Sequence, residues 1–382
     1  MRLAFTDATN LQPKQPLAIL QLKKKPKKHK CAPADEIKQQ MEAHFRLNPP
    51  GSTHSFPTQV QFYRIGRTLG RGAFGKVSLA LHRLTAQLVA VKSVKKGSQI
   101  QEQRCLQEMQ LITQCRDRNI MQVYDYFETP KHTCFVVELC AAGDLFSYIK
   151  KRRRLTEPQA KYFFRQILLG LNAMHQASIL HRDIKLENLM LTAVGEVKIG
   201  DFGVSRKMTK RCFEQCGTPA YIAPELLTGQ GYEGFKADLW SAGVCLYAMI
   251  VGSVPFKAQS IPELHELIKA AKYDFKYQAG SIKKEDNKNG KSIFSPEVKD
   301  LIAKLLTVDP QQRLSAAEAL KHPWLSDCPA VINLFTDKEQ QIIQSDYRRL
   351  CNLPGGADDV EESNSMMLTE HPLDTMKNED LP

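Results

Sequence analysis

The fold is most tightly constrained by a change in hydrophobic period near residue 140. Upstream, YRIGRTLG, KVSLALHR, LVAVKSV, MQVYDYFE and CFVVEL are short runs rich in β-branched and aromatic residues, divided by turn residues, and predict strands. One helical run interrupts them, SQIQEQRCLQEMQLIT at 98–113, with Ile100, Leu106, Met109 and Ile112 at helical spacing. From Asp144 onward the pattern turns helical in AKYFFRQILLGLNAMH (160–175), LWSAGVCLYAMIVGSVPF (239–256), IPELHELIKAA (261–271) and SPEVKDLIAKLL (295–306). Strands followed by helices give an α+β chain in two lobes, a small β-rich N-lobe (58–137) and a larger helical C-lobe (144–325). A crevice between lobes is a favoured ligand site.

The ends are polar and oppositely charged. Residues 1–60 hold ten Lys/Arg against four Asp/Glu, and residues 354–382 hold one Lys against eight Asp/Glu. We read 1–57 as a disordered basic tail and 354–382 as a disordered acidic one, with a helical extension at 326–353 between the two-lobed core and the acidic end. Its run LFTDKEQQIIQSDYRRL (334–350) predicts one amphipathic helix, able to pack on the domain before it. That run is not markedly basic, so calmodulin binding is not supported. The polar stretch GSIKKEDNKNGKS (280–292) reads as a mobile surface insertion. KKKPKKHK at 23–30 suits a solvated charge run or a nuclear-import signal, and without interleaved aromatics nucleic-acid binding is disfavoured. Ten cysteines lie outside metal-binding spacings and no secretory signal precedes them, which favours reduced thiols in a cytoplasmic protein, nuclear entry staying open. The apolar stretch 239–256 is barely of membrane-spanning length, starts after Asp238 and is broken by Gly252 and Pro255, so a buried helix is expected and no membrane span.

Four clusters carry chemistry. In LGRGAFGKV (69–77), Gly70, Gly72 and Gly75 let backbone N–H groups approach phosphate oxygens. That spacing alone also fits dinucleotide folds, but Val77 continues into a second strand, not a helix, which makes a glycine-rich hairpin. Lys92 lies in the apolar strand LVAVKSV, costly to bury unless paired, with Glu108 as candidate partner. HRDIKLENLML (181–191) and VKIGDFG (197–203) add Asp183, Asn188 and Asp201, oxygen donors of the kind Mg²⁺ takes while keeping some waters, and Lys185 puts a cation beside Asp183.

In this order these motifs resemble a eukaryotic protein kinase catalytic domain from about Phe62 to Leu325, with the glycine loop, VAVK, HRDxKxxN, DFG and APE all present. The resemblance implies a two-lobed protein kinase-like fold whose N-lobe carries one key helix, with ATP and Mg²⁺ as cofactors. It implies that Leu69, Gly70, Arg71, Gly72, Ala73, Phe74 and Gly75 cover the phosphates and that Lys92, paired to Glu108, holds the α/β-phosphates. Asp201 and Asn188 would bind metal, Asp183 would take the substrate hydroxyl proton, and Lys185 would steady the transferring phosphoryl. Adenine would lie between Val77 and Ala90 above and Met190 below. Val137 would stand behind it, Glu138 and Cys140 would offer backbone hydrogen bonds, and Asp144 would lie near the ribose. Ile112, Val123, His181 and Phe202 resemble the family's apolar spine, anchored at Asp238.

The stretch RCFEQCGTPAYIAPE (211–225) follows. Thr218 resembles the threonine that hydrogen-bonds the catalytic aspartate and lysine in Ser/Thr kinases, so protein substrates with Ser/Thr acceptors are implied. Tyr221 and Ala223-Pro224-Glu225 resemble a substrate-docking run, with Glu225 paired to Arg313. Glu214 stands where many relatives carry a phosphorylatable residue, and we expect it to pair with Arg182, helped by a Lys or Arg from 207–211, so that the loop orders without phosphate. Thr209 stays open as a modulatory phosphosite. Cys212 and Cys216 read as unpaired thiols, with a redox pair as the alternative. Asp144 and Glu187 resemble a pair reading a basic residue three before the acceptor, and Ala248 argues against a second upstream arginine. DLWSAGVCLYAMIVGSVPF and HPWL resemble the calcium/calmodulin-dependent and AMP-activated-related group. A pseudokinase scaffold on the same fold is the alternative function, and the presence of Lys92, Asp183 and Asp201 weighs against it.

Overall fold

Five short runs rich in β-branched and aromatic residues build one antiparallel sheet: β1 (Tyr63–Gly72), β2 (Gly75–His82), β3 (Leu88–Lys95), β4 (Val123–Glu128) and β5 (His132–Val137), in the order β1-β2-β3-β5-β4. The computed structural model describes residues 63–72, 75–83, 85–96, 108, 111–208, 211–275, 294–329, 334–342 and 345. Ala73, Phe74, Thr209, the tails expected at 1–57 and 354–382, the insertion at 280–292 and most of the run 98–113 lie outside the described residues, although Glu108 and residues 111–114 are helical.

The register sets the site. Gly70 faces Val77 across β1–β2, Val77 faces Lys92 across β2–β3, and Ala90 faces Val137 across β3–β5. Residues expected to roof a nucleotide thus sit on adjacent strands.

The C-lobe is built on two long helices, α2 (Glu157–Gln176) and α3 (Gly234–Val251). α1 (Leu145–Arg152) precedes them, and α4 (Ile261–Lys269) and α5 (Pro296–Leu305) follow. On α2 the apolar stripe of Phe163, Phe164, Ile167, Leu168 and Leu171 is fully buried. Each such side chain contributes roughly 1.5–3 kcal/mol relative to exposure. α3 is buried around nearly its whole circumference, as a helix apolar on all sides must be. By length and composition it is apolar enough to cross a membrane, but 83% of that span is buried inside the fold. It stops at Gly252 with φ +89°, where a Cβ would collide with the Arg153 carbonyl. Glu157, at the start of α2, accepts from Ser295 N at 2.7 Å and from Trp324 Nε1 at 2.8 Å, which ties α5 and the HPWL turn to one carboxylate.

Two further two-stranded pieces form: β6 (Ile179–Leu180) pairs with β9 (Arg206–Lys207), and β7 (Leu189–Leu191) with β8 (Val197–Ile199). The described cysteines, Cys212 and Cys216 among them, are all free thiols. Within the expected helix 334–350, residues 337–342 and 345 are helical and the remainder lies outside the described residues. Its start packs on the C-lobe: Leu334 and Phe335 are buried.

Candidate active site

The glycine hairpin turns between Gly72 and Gly75, which face each other across β1–β2. Gly75 has φ +141°, and a Cβ there would collide with the Ser93 carbonyl oxygen, so only glycine fits. Gly70 has nothing within 4 Å of its missing side chain, which keeps that backbone open to close approach. Leu69 and Arg71 stand exposed on the same rim.

Lys92 reaches Glu108 with Nζ–Oε distances of 2.7 and 2.8 Å. Burial pushes the Glu108 carboxyl above its ordinary range and the nearby Asp201 charge adds to that, outweighing the pull of Lys92. A buried carboxylate so placed costs free energy, and the lysine is what makes it tolerable.

The loop after β6 is held from below. Asp238 on α3 is fully buried and accepts from His181 N at 3.0 Å and Arg182 N at 2.9 Å, with His175 Nε2 at 3.0 Å. Burial alone would raise its pKa, but these donors pull it below the usual carboxylate range. Arg182 takes a left-handed φ of +68°, strained for a side-chain-bearing residue, and the Asp238 contact is what fixes it. His181 packs edge-to-face on Phe202 at 5.3 Å and its Nε2 lies 2.9 Å from the Gly200 carbonyl oxygen. Ile112 and Phe202 are buried in one cluster on which Val123 packs, and His181 joins it through Phe202.

Asp183 is the centre of the constellation. Its Oδ1 accepts from Thr218 N at 3.0 Å and Thr218 Oγ1 at 2.9 Å. Its Oδ2 lies 2.9 Å from Lys185 Nζ and accepts from Asn188 Nδ2 at 3.1 Å. Lys185 Nζ also donates to Thr218 Oγ1 at 2.9 Å, closing a triangle of three side chains. Burial works against ionisation of Asp183, but Lys185 and Thr218 hold it below the ordinary aspartate value, so it is anionic near neutral pH. Asn188 also donates to the Asp183 carbonyl at 2.8 Å, which turns its amide nitrogen inward and leaves its oxygen as the atom a cation would take. Asp201 follows in a left-handed φ of +56°, and its charge is felt at Glu108. An asparagine oxygen and one carboxylate, beside a glycine hairpin and a paired lysine, fit Mg²⁺ carried on a nucleotide triphosphate, because Mg²⁺ needs few protein ligands when phosphates and water supply the rest.

Two expected residues have a further job. Asp144 caps α1, accepting from Ser147 N at 2.7 Å and Ser147 Oγ at 2.9 Å, and its backbone bridges to Met190. Glu138 pairs its side chain with Lys198 at 2.7 Å, and its N–H donates to Gln122 O at 2.9 Å, so its carbonyl is the group left to face a base. Burial pushes the thiol of Cys140, two residues on, up to about 12, so it stays protonated near neutral pH.

The activation-segment pairs form. Arg182 Nη1 donates to Glu214 Oε2 at 3.0 Å, and Arg313 makes a two-pronged bridge to Glu225 at 2.6 and 2.8 Å. One detail differs from the expectation. Among the described residues the second cation on Glu214 is Arg206, at 3.3 Å, and neither Lys207 nor Arg211, while Lys210 lies outside the described residues. Arg206 ends up there because β9 pairs with β6 and aims residue 206 at the loop that returns past it. His175, Lys198 and Arg206 were missed in the sequence. Lys198, in the apolar strand VKI, carried the same signal as Lys92, a lysine where burial demands a partner.

Residues 63–325 match the protein kinase domain family. The serine/threonine protein kinase OSK3 of Oryza sativa subsp. indica is 35% identical over 326 residues, which cover 83% of this chain and 61% of that kinase. The SNF1-related protein kinase catalytic subunit alpha KIN12 of Arabidopsis thaliana is 38% identical over 284 residues, 72% of this chain and 54% of that subunit. The maternal embryonic leucine zipper kinase of Xenopus laevis is 34% identical over 278 residues, 71% of this chain and 40% of that kinase. The chain thus spans only part of the length of the relatives it matches. Family members use ATP and Mg²⁺. With its glycine hairpin, lysine–glutamate bridge and Asp183–Lys185–Thr218 triangle in place, the chain belongs to the protein kinase family, in the serine/threonine group that includes the SNF1-related kinases.

Proposed function

We propose that this protein transfers the γ-phosphoryl group of Mg·ATP to serine or threonine hydroxyls of protein substrates. The observation that carries the reading is the Asp183–Lys185–Thr218 triangle, in which the aspartate is charged and held in a fixed orientation. The hydroxyl oxygen attacks the γ-phosphorus, the bond to the β–γ bridging oxygen breaks, and the hydroxyl proton passes to Asp183. Lys185 stabilises charge on the transferring group. Lys92 would hold the α/β-phosphates, and Asn188 and Asp201 would hold Mg²⁺, which when bound neutralises phosphate charge. Positioning and electrostatics supply the acceleration, since little covalent work falls to the protein.

In this reading Glu214 replaces a loop phosphate. Its carboxylate meets Arg182 and Arg206, which would otherwise be the receivers of a phosphoryl group, so activity does not wait for an upstream kinase. Asp144 and exposed Glu187 favour a basic residue three before the acceptor, and Ala248, buried on α3, offers no acid for a second one.

Bacterially produced protein of residues 1–382, with Mg²⁺ and radiolabelled ATP, should label a generic basic protein on Ser/Thr, and Asp201→Ala should abolish it. Phosphatase pretreatment should leave the rate within about twofold. Nucleotide binding without transfer would establish the pseudokinase alternative instead.

A further inference from the structure

Beyond the end of the family match at Leu325, the chain returns to the C-lobe and seats a short segment behind the nucleotide floor. Leu334 and Phe335 are buried, at 5% and 8% exposure. The Leu334 carbonyl accepts from Tyr148 Oη at 2.8 Å and from Arg152 Nη2 at 3.1 Å, both on α1. Phe335 packs edge-to-face on the Tyr148 ring at 6.0 Å, while the Arg152 guanidinium lies 3.7 Å over the ring of Tyr148. Arg152 also meets Glu339 with both oxygens, at 3.1 and 2.8 Å. The Glu339 carboxylate has a second task, accepting from Thr336 N at 2.9 Å in the first turn of the terminal helix. On its other side the Leu334 side chain fills the space over Gly195, in the turn between β7 and β8, where any Cβ would collide with it.

The two elements that this segment touches are the two that carry the floor of the crevice. α1 begins at its cap, Asp144, and β7 carries Met190. The two are joined near the crevice by the Asp144–Met190 bridge and by Ala142 N to Leu191 O at 3.0 Å and Leu191 N to Gly143 O at 2.7 Å. That joint fixes one end of the pair. Leu334, wedged between the far end of α1 and the β7–β8 turn, fixes the other. Because a helix moves as a stiff body, a shift in the seat of residues 334–339 would be carried along α1 as a strain on the Asp144–Met190 joint.

We propose that residues 334–339 act as a positioning strap for the nucleotide floor, with the Arg152–Glu339 pair as its clasp, and that closing it sets the affinity for Mg·ATP while leaving the phosphoryl-transfer step unchanged. The proposal rests on the kinase reading above. Arg152 and Glu339 act through α1 and are positioning residues, since neither reaches the reacting atoms.

The test uses protein of residues 1–382, a fluorescent ATP analogue with Mg²⁺ for binding, and steady-state kinetics. Arg152→Glu and Glu339→Arg should each weaken nucleotide binding and raise KM for ATP three- to tenfold. Turnover at saturating ATP should stay within twofold of the unmodified protein. The exchanged pair R152E/E339R, which restores opposite charges, should recover a substantial part of the lost affinity. Unchanged affinity in single variants whose melting temperature has fallen would show a merely structural contact and overturn the inference. Parallel loss of turnover and affinity would overturn it as well, by showing that the segment supports the whole lobe. Failure of the unmodified protein to bind the analogue would instead overturn the kinase reading on which the strap depends.

Discussion

Two carboxylate–arginine pairs hold the same activation segment on opposite physical terms. Glu225 and Arg313 are interior, with side-chain exposures of 10% and 0%, whereas Glu214 is 66% exposed against an Arg182 at 10%. Arg313 spends every N–H: two on Glu225, one each on the carbonyls of Thr307, Lys236 and Val308, with its plane 5.1 Å from the Trp240 ring centre. Glu214 has one bond to Arg182 and one longer bond to Arg206. The buried pair anchors the docking run to the C-lobe permanently. The exposed pair sets the loop above it with contacts that water and salt weaken, which is the range in which regulation works.

Breaking the buried pair should have the largest effect. Glu225→Ala leaves the Arg313 charge interior with its two-pronged partner gone, a change that typically costs about 3–5 kcal/mol. For a domain of this size that lowers the melting temperature by on the order of 10 °C, readable by calorimetry. Glu225→Leu combined with Arg313→Met should recover much of the loss, because removing both charges also removes their desolvation cost. If the double variant is no better than the single one, the Arg313 contacts to backbone carbonyls matter more than the ion pair.

Reversing the exposed pair should change activity and spare the fold. Glu214→Lys places a cation beside Arg182 and Arg206 and should lower kcat/KM tenfold or more, measured on a peptide with a basic residue upstream of serine. Its melting temperature should move by no more than about 2 °C, since exposed pairs contribute little to stability. Near-normal activity in Glu214→Lys would show that the loop is ordered by other contacts, such as the backbone bridge of Cys212 with Tyr232 and the Tyr232 hydroxyl on the Glu214 carbonyl at 3.0 Å.

The same contrast separates what was legible in the sequence from what was not. The two lobes were readable because the apolar period changes sharply, and Asp183, Asn188, Asp201 and Thr218 because each sits in a dense local motif. Glu225 and its distant partner Arg313 followed from the family pattern. Arg206 was not readable, since its place on Glu214 depends on which way β9 leaves its two-residue pairing with β6. The second task of Asp144, capping α1, needed the helix start to be known to within one residue. Lys198 was missed although its apolar strand flagged it, because its partner Glu138 belongs to a segment that had been assigned to the nucleotide alone. Local chemistry announces itself in sequence, whereas the partner of an exposed charge is chosen by chain direction.

Acid titration gives the finest comparison. The hydrogen bond and charge of Arg182, with the charge of Arg206 added, hold the Glu214 carboxyl below the ordinary glutamate range. A depressed folded-state pKa means that the contribution of the pair is fully present above the unfolded value of about 4.3 and is lost as pH falls through the lower, folded value. Between pH 6 and 8 the Glu214–Arg182 contact should therefore be insensitive to pH, so any loss of activity in that window arises elsewhere. Carboxyl-carbon NMR on glutamate-labelled protein should place the Glu214 midpoint below that of a solvated glutamate. Arg206→Ala should move it part of the way back up, because the larger pull, from Arg182, survives. A midpoint at the ordinary value in the unmodified protein would mean that the contact does not persist in solution. The loop would then owe its order to the buried Glu225–Arg313 anchor below it, and the division of labour between the two pairs would be lost.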